Sequence, residues 1–333
     1  MAIPLSVLDI VPLRSGSTAS EAFAESIALA RHVEQLGYHR YWFTEHHGSS
    51  GIAAASPAVL AGRVAAATST IRVGSGGVML PNHASLTIAE QFGTLEALFP
   101  GRIDLGIGRA PGTDPLTASA LRRSPDVGAD DFPEQLSELF SFFRGDFPPG
   151  HPYRRIDATP AFGNEPPVWL LGSSDFSARL AGQLGLPFSF AHHFSQENTL
   201  PALRAYRRSF QPSSSSSKPQ AMVAALIVAA DDDVTAKRNA LPMALAFLRM
   251  TQGKRGAAPT LAEVDAWPWT PPERAFVEGW CGKNIVGGPD TVKARLKALI
   301  KDTAADELMV LSTAPDAESR QRSYTIIRDI HGT

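Results

Sequence analysis

The sequence predicts a (β/α)8 TIM barrel with insertions after strands 4 and 7, formed as one domain over residues 1–333. Strand-like and helix-like runs alternate almost to the end of the chain. Alternation of this kind implies parallel strands joined by helical crossovers. About eight such pairs at this length favour a closed barrel over an open doubly wound sheet.

The first half of the chain holds four predicted strands. Buried strands are indicated by short apolar runs, and helices by apolar residues recurring three and four positions apart. The predicted strands are residues 5–9, 41–43, 71–79 and 103–107. The predicted helices are residues 19–36, 57–68 and 88–99. Ser20 is the expected cap of the first helix, and Gly37 follows its end.

The second half repeats the alternation but contains two irregular segments. The predicted strands are residues 168–171, 187–191, 221–229 and 307–311. The predicted helices are residues 132–143, 175–184, 196–210, 234–250 and 317–330, with another beginning at Pro289. Residues 148–166 are rich in Pro and include Tyr153, and we expect a short hairpin there. Residues 251–270 read as an irregular insertion, and 251–285 is the candidate for a lid.

Bulk properties exclude several classes of protein. A net charge of −2 gives no reason to expect a nucleic acid or an acidic membrane as partner. The single cysteine, Cys281, excludes an internal disulfide and a cysteine-based metal cage. The amino terminus enters an apolar strand without a basic region, and no window is long enough to span a membrane. We therefore expect a cytoplasmic protein.

Glycines cluster at the ends of the third and fourth predicted strands. They are Gly74, Gly76, Gly77, Gly106 and Gly108. Backbone without side chains at the carboxyl ends of parallel strands lets a flat ring or a phosphate approach closely. The pattern predicts that the chain binds a large planar cofactor.

Two segments could hold the phosphate of such a cofactor. A dinucleotide fingerprint fails after the fourth strand, because Pro111 stands where the third glycine is needed. Arg109 could grip a phosphate with two hydrogen bonds, or could be a surface arginine paired with an acid. Gly172, Ser173 and Ser174 join a strand to a helix start, which is either a phosphate site or an ordinary helix cap.

Two pairs of histidines follow strand ends. His46 and His47 come after the second strand, and His192 and His193 after the sixth. Adjacent residues of an extended chain point to opposite sides, so neither pair suits one metal ion, and we predict no metal site. His46 could act as a general acid or base, with Glu45 either orienting it or holding the loop.

Five sequence motifs, taken together in their order along the chain, resemble those of a known family. They are EHH after strand two, GSGGVMLPNH at strand three, AEQF in the next helix, PGRIDLGIGRAPG at strand four and WLLGSS at strand five. In this order they resemble the bacterial luciferase-like flavin monooxygenases, specifically a subgroup of small luciferase-like oxidoreductases. The similarity covers essentially the whole chain and implies a (β/α)8 barrel that binds FMN.

The resemblance also implies roles for individual residues. A non-proline cis peptide would join Gly76 to Gly77 beside the ring, and Arg109 with the turn Gly172, Ser173 and Ser174 would contact the phosphate. His46 matches the histidine near the flavin and the aldehyde. Ala191 and His192 would flank the pocket. Gly108 stands where luciferases carry a cysteine, so light emission is not expected.

The implied reaction is a monooxygenation. FMNH2, supplied by a separate reductase, would react with O2 to a C4a-peroxyflavin that oxidises a small, apolar, aldehyde-like substrate, with His46 handling the proton. Aromatic residues in the loops hint at an apolar substrate or simply pack on the barrel: Phe147, Tyr153, Phe162, Trp267, Trp269 and Trp280. The family also implies a homodimer through the second and third helices.

Three alternatives stay open at this stage. A deazaflavin-dependent reductase would use the same barrel and the same phosphate site. A non-catalytic protein could bind the flavin without turning it over. The least favoured alternative is a metal-dependent barrel hydrolase that uses His46, His192 and either Asp9 or Asp104.

Overall fold

The chain forms a closed parallel β-barrel surrounded by helices. The computed structural model describes residues 3–110, 112–121 and 131–332. Its strands are β1 Leu5–Asp9, β2 Arg40–Phe43, β3 Arg72–Met79, β4 Ile103–Gly108, β5 Val168–Gly172, β6 Phe188–Ala191, β7 Ala221–Ala229, β8 Ile285–Gly287 and β9 Glu307–Leu311. The predicted TIM-barrel fold is thereby confirmed.

Eight of these strands close the barrel. Neighbours pair in the order β6, β5, β4, β3, β2, β1, β9, β7, and a further pairing of β6 with β7 completes the ring. The ninth strand, β8, pairs with the far end of β7 through Ile285 and Ile227 and extends the sheet outside the ring. All of these pairings are parallel, so the carboxyl ends of the eight barrel strands meet at one mouth.

The helices lie on the outside of the barrel. They are α1 Ala19–Gln35, α2 Pro57–Ala65, α3 Ser85–Leu98, α4 Pro115–Leu121, α5 Phe132–Arg144, α6 Asp175–Gln183, α7 Thr199–Ser209, α8 Asp233–Thr251, α9 Leu261–Asp265, α10 Pro271–Lys283, α11 Pro289–Thr303 and α12 Ala317–His331. The cap of α1 is Thr18 and not the expected Ser20, because Thr18 and Glu21 form a reciprocal capping box.

Two segments differ from the sequence prediction. Residues 148–166 contain the 3-10 helix Pro152–Arg155 where a hairpin was expected, and Phe147, His151 and Tyr153 pack on one another there. The insertion after β7 is more regular than predicted, since it contains α9, α10 and β8. Two further capping boxes start these helices, from Thr260 and Glu263 at α9 and from Thr270 and Glu273 at α10.

The amino-terminal end of the barrel is closed by a buried ionic network. Arg40 Nη1 lies 2.7 Å from Asp104 Oδ2, and Arg40 Nε lies 3.0 Å from Glu307 Oε1. Arg72 Nη2 contacts the other oxygen of Asp104 at 2.7 Å, and Trp42 Nε1 donates to Asp104 at 3.0 Å. Each buried charge thus has an opposite partner, as burial requires.

An apolar layer separates this network from the mouth. It consists of Leu8, Trp42, Trp169, Met222 and Met309, which come from five different strands. The rings of Trp42 and Trp169 meet edge to face with centroids 5.6 Å apart. Because the interior is filled, the active site is expected at the carboxyl-terminal mouth. Across the described ranges, every helix is too short or too polar to cross a bilayer.

Candidate active site

The end of β3 carries an irregularity at the mouth. Gly76 pairs with Gly106 and Val78 pairs with Ile107, so Gly77 is an extra residue that forms a bulge. The Gly76–Gly77 peptide is cis, which confirms the geometry that the family resemblance implied. The bulge turns the backbone away from the regular ladder at the position where a planar ring was expected.

Packing alone already requires several of these glycines. A Cβ on Gly77 would lie 2.7 Å from the carbonyl oxygen of Gly106, and one on Gly76 would lie 2.6 Å from Leu8 Cδ1. At Gly108 the nearest atom to an added Cβ would be Met79 Sδ at 3.0 Å. The glycine pattern therefore reflects close strand packing, and the open surface for a planar ring stays a prediction.

Arg109 and the β5–α6 turn come together at this mouth. The guanidinium carbon of Arg109 lies 4.2 Å from the ring centroid of Phe176, in the first turn of α6. Among residues 3–110, 112–121 and 131–332, Arg109 forms no ion pair, so the paired-arginine interpretation fails there. Pro111, two residues further on, lies outside the described residues.

The start of α6 offers free hydrogen-bond donors. Ser174 is the N-cap of the helix, and its hydroxyl makes no capping hydrogen bond within the described chain. Ser173 and Ser174 are exposed, and Gly172 is half-buried at the end of β5. The first backbone N–H groups of a helix lack intrahelical partners and carry a partial positive charge. Together with Arg109 they form a positively polarised corner of the mouth.

His46 is held at the mouth by its neighbour Thr44. Its Nδ1 lies 3.0 Å from Thr44 Oγ1, and its backbone N–H donates to the Ala54 carbonyl at 2.8 Å. Burial lowers the pKa of His46 below its usual value, which favours a neutral imidazole. A neutral ring with one nitrogen fixed by a hydroxyl can give or take a proton at the other nitrogen.

Glu45 contacts other histidines than the one it was expected to orient. Its carboxylate is buried, and Oε1 lies 2.8 Å from His47 Nε2 and 2.7 Å from His83 Nε2. The second oxygen, Oε2, accepts from the Met79 backbone N–H at 3.2 Å. Glu45 thus holds the loop after β2 to the end of β3, which is the other role that the sequence analysis left open.

The second histidine pair follows β6, whose last residue is the half-buried Ala191. His192 Nδ1 lies 2.8 Å from Thr199 Oγ1, while His193 Nδ1 donates to the Ala224 carbonyl at 2.9 Å. Burial lowers the pKa of His193 to about 4, with smaller contributions from His192 and His46. His193 is therefore neutral at physiological pH, and its Nε2 receives no hydrogen bond from the residues that the structure describes. Sequence reasoning did not place it in the site.

The two acids of the metal-hydrolase alternative, Asp9 and Asp104, are bound by other side chains. Asp9 is bound by Arg320 at 2.9 Å and by the Tyr41 hydroxyl at 2.5 Å. Asp104 belongs to the ionic network at the opposite end of the barrel. Among the described residues neither carboxylate groups with His46 and His192 as metal ligands, so that ligand set is not formed there.

Trp267 and Trp269 of the second insertion pack on α8 and α9. Arg249 lies 4.4 Å from the Trp267 ring centroid, and Trp269 packs with it against α8. Arg255 does reach the loop after β4, where it lies 3.2 Å from Asp114. Trp267 and Trp269 therefore have the packing role that the sequence analysis left open.

Comparison with known proteins identifies the family. A family model described as luciferase-like monooxygenase matches residues 4–307. The chain belongs to this family of monooxygenases. A luciferase-like monooxygenase of Escherichia coli (strain K12) is 45% identical over 98% of this chain and 97% of its own length. An N-acetyl-S-alkylcysteine monooxygenase of Bacillus subtilis (strain 168) is 33% identical over 98% of both.

Solved structures confirm the architecture. The crystal structure of apo-MsnO8 covers 99% of this chain and 98% of its own, with a TM-score of 0.90 and 34% identity. The oxygenating constituent of 3,6-diketocamphane monooxygenase from Pseudomonas putida, in complex with FMN, has a TM-score of 0.75. It covers 98% of this chain and 97% of its own at 20% identity, which shows a shared fold.

Proposed function

We propose that this protein is an FMN-dependent monooxygenase that oxidises a small, apolar, aldehyde-like substrate with O2. The observation that carries the proposal is the position of Arg109 beside the start of α6, on the ring of Phe176. A guanidinium and a helix N-terminus from neighbouring strands form a site for a phosphate. The adjoining bulge at Gly77 would present its backbone to the ring.

The residues of the mouth fit FMN. Arg109 and the backbone N–H groups that follow Ser173 and Ser174 would hold the phosphate. Gly76, Gly77 and Gly108 would lie beside the ring system, where they present backbone and hydrogen atoms only. Ala191 and His192 would border the site from β6. The related fold that binds FMN supports this assignment.

Reduced FMN supplies two electrons that activate O2, so an aldehyde, FMNH2 and O2 give a carboxylic acid, FMN and water. His46 is the proposed acid–base residue, because its Nδ1 is held by Thr44 and its burial favours the neutral ring. Glu45 is a positioning residue, since its carboxylate ties the loop of His46 to Met79 at the end of β3. The neutral His193 adds an acceptor nitrogen.

An apolar substrate suits the exposed side chains near the mouth. Phe194 follows β6 and is 72% exposed, and Leu116 in α4, after β4, is 81% exposed. Apolar side chains that remain exposed beside a binding cleft favour apolar ligands. These two residues, and not the tryptophans of the second insertion, are the proposed contacts for the substrate.

The proposal includes two partners. A separate reductase would supply the reduced flavin, because the sequence lacks a dinucleotide fingerprint at its glycine-rich strand end. A second copy of the chain would pack on α2 and α3, where Val59 is 72% and Leu98 is 65% exposed. Light scattering in solution tests the second point, since it separates a dimer from a monomer.

An anaerobic titration followed by air tests the proposed function. Photoreduced FMN is titrated into the protein, octanal is added as the probe substrate, and octanoic acid is measured after oxygenation. We expect stoichiometric binding and oxygen-dependent acid formation. The His46→Ala variant should keep its affinity for FMNH2 and lose roughly 100-fold or more in turnover. Binding of a deazaflavin in place of FMN would favour the reductase alternative.

A further inference from the structure

Three potential metal ligands converge beside the mouth. Glu45 and His47 lie in the loop after β2, and His83 follows the 3-10 helix Leu80–Asn82 after β3. One carboxylate oxygen and two imidazole nitrogens lie within 4.8 Å of one another. Glu45 Oε1 faces both nitrogens, at 2.8 Å from His47 and 2.7 Å from His83.

The buried negative charge of Glu45 indicates that this cluster needs a positive partner. The Glu45 side chain is only 1% exposed, and its ion pairs within the described ranges are with His47 and His83. A buried carboxylate requires a compensating positive charge, and a histidine supplies one only when it is protonated. A divalent cation between the three groups would supply that charge permanently.

We propose that Glu45, His47 and His83 bind a divalent transition-metal ion such as Zn²⁺. Two imidazoles and one carboxylate are a common ligand set for such ions, with water completing the coordination. Ligand bonds of about 2.0–2.2 Å place the ligand atoms no more than about 4.4 Å apart, so small rotations of the two imidazoles suffice. Their side chains are 16% and 26% exposed, which leaves the ion a path from solvent.

The ion would act as a structural clamp at the mouth. It would join the loop after β2 to the chain after β3, on the side where Glu45 already accepts from the Met79 N–H. His46 makes its hydrogen bond to Thr44 instead, so it remains separate from the metal ligands. Coordination through Nε2 requires the proton of each neutral imidazole to reside on Nδ1.

Zinc binding by the flavin-free protein tests this proposal independently of turnover. The protein is dialysed against a chelator, transferred to chelator-free buffer and titrated with ZnCl2 by calorimetry. Metal content is then measured after gel filtration. We expect one zinc ion per chain. Glu45→Gln, His47→Gln and His83→Gln should each weaken binding by roughly tenfold or more.

A histidine elsewhere provides the matched control. His151 stacks on Phe147 with ring centroids 4.7 Å apart, and His151→Gln should keep the affinity of the wild type. Circular dichroism identifies any variant that fails to fold; His83, whose side chain is the most exposed of the three at 26%, is the safest to replace. Absence of stoichiometric zinc in the wild type would overturn the proposal. Unchanged affinity in folded His47→Gln and His83→Gln would do the same.

Discussion

Arg109 lies on the face of Phe176, with 4.2 Å between the guanidinium carbon and the ring centroid. The two residues come from different strand–helix units, since Arg109 follows β4 and Phe176 belongs to the first turn of α6. The contact holds the cation beside the open N–H groups of that helix. It therefore links the two halves of the proposed phosphate site.

Replacing Phe176 should weaken FMN binding without destabilising the fold. A cation–π contact at a partly exposed site contributes about 1 kcal/mol, so Phe176→Leu should raise the Kd for FMN roughly fivefold. Fluorescence quenching of FMN measures this directly. Phe162→Leu is the control, because Phe162 is also exposed and lies in the insertion after β4. Equal Kd values for the two variants would contradict the proposed role.

The bulge at the end of β3 should tolerate no side chain. A Cβ at Gly77 would lie 2.7 Å from a backbone oxygen, whereas one at Gly108 meets the flexible Met79 side chain at 3.0 Å. Gly77→Ala should reduce the free energy of unfolding by about 1–3 kcal/mol, and Gly108→Ala by clearly less. Urea unfolding of both variants gives the comparison. A larger loss in Gly108→Ala would reverse the predicted order.

The buried ionic network should be costly to break. In Asp104→Asn the charges of Arg40 and Arg72 lose their shared carboxylate, which should reduce the free energy of unfolding by about 3–5 kcal/mol. Asp175→Asn removes the partner of Arg179 in an exposed pair and should have a much smaller effect. Similar decreases in the free energy of unfolding for the two variants would contradict the prediction that the buried ion pairs contribute more than the exposed one.

His193 should make stability depend on pH in mildly acidic solution. Burial lowers its pKa from 6.5 to about 4 in the folded chain. Between these values the unfolded chain binds a proton that the folded chain does not, so stability decreases as the pH falls. One proton corresponds to at most about 1.4 kcal/mol per pH unit. In His193→Gln the slope of the unfolding free energy against pH should decrease by most of the contribution of one proton. Urea unfolding between pH 7 and 4 measures this slope. An unchanged slope in the variant would contradict the assigned contribution of His193.

The regular elements could be predicted because their signals are local. Strands β1, β7 and β9 match the predicted residues 5–9, 221–229 and 307–311. The signals for α10 and β8 were weaker: α10 begins with two prolines after a tryptophan-rich segment, and β8 has only three residues. A strand of three residues is too short to show a period.

The site was only partly predictable, because some contacts depend on strand register. The proximity of Arg109 to the start of α6 could be expected from their places at neighbouring strand ends. The contact of Glu45 with His83 spans 38 residues and arises only when β2 pairs with β3. The acceptor role of His193 likewise depends on the Ala224 carbonyl of the neighbouring strand.

The most direct test compares the affinities of FMN and riboflavin for the wild type and for Arg109→Ala. The two ligands differ only in the phosphate, so their ratio isolates the contribution of the phosphate site. The wild type should prefer FMN by at least roughly tenfold, since a charged hydrogen bond contributes about 1.5–3 kcal/mol. Arg109→Ala should remove most of that preference while its affinity for riboflavin stays the same. An undiminished preference for FMN in Arg109→Ala would contradict the proposed site.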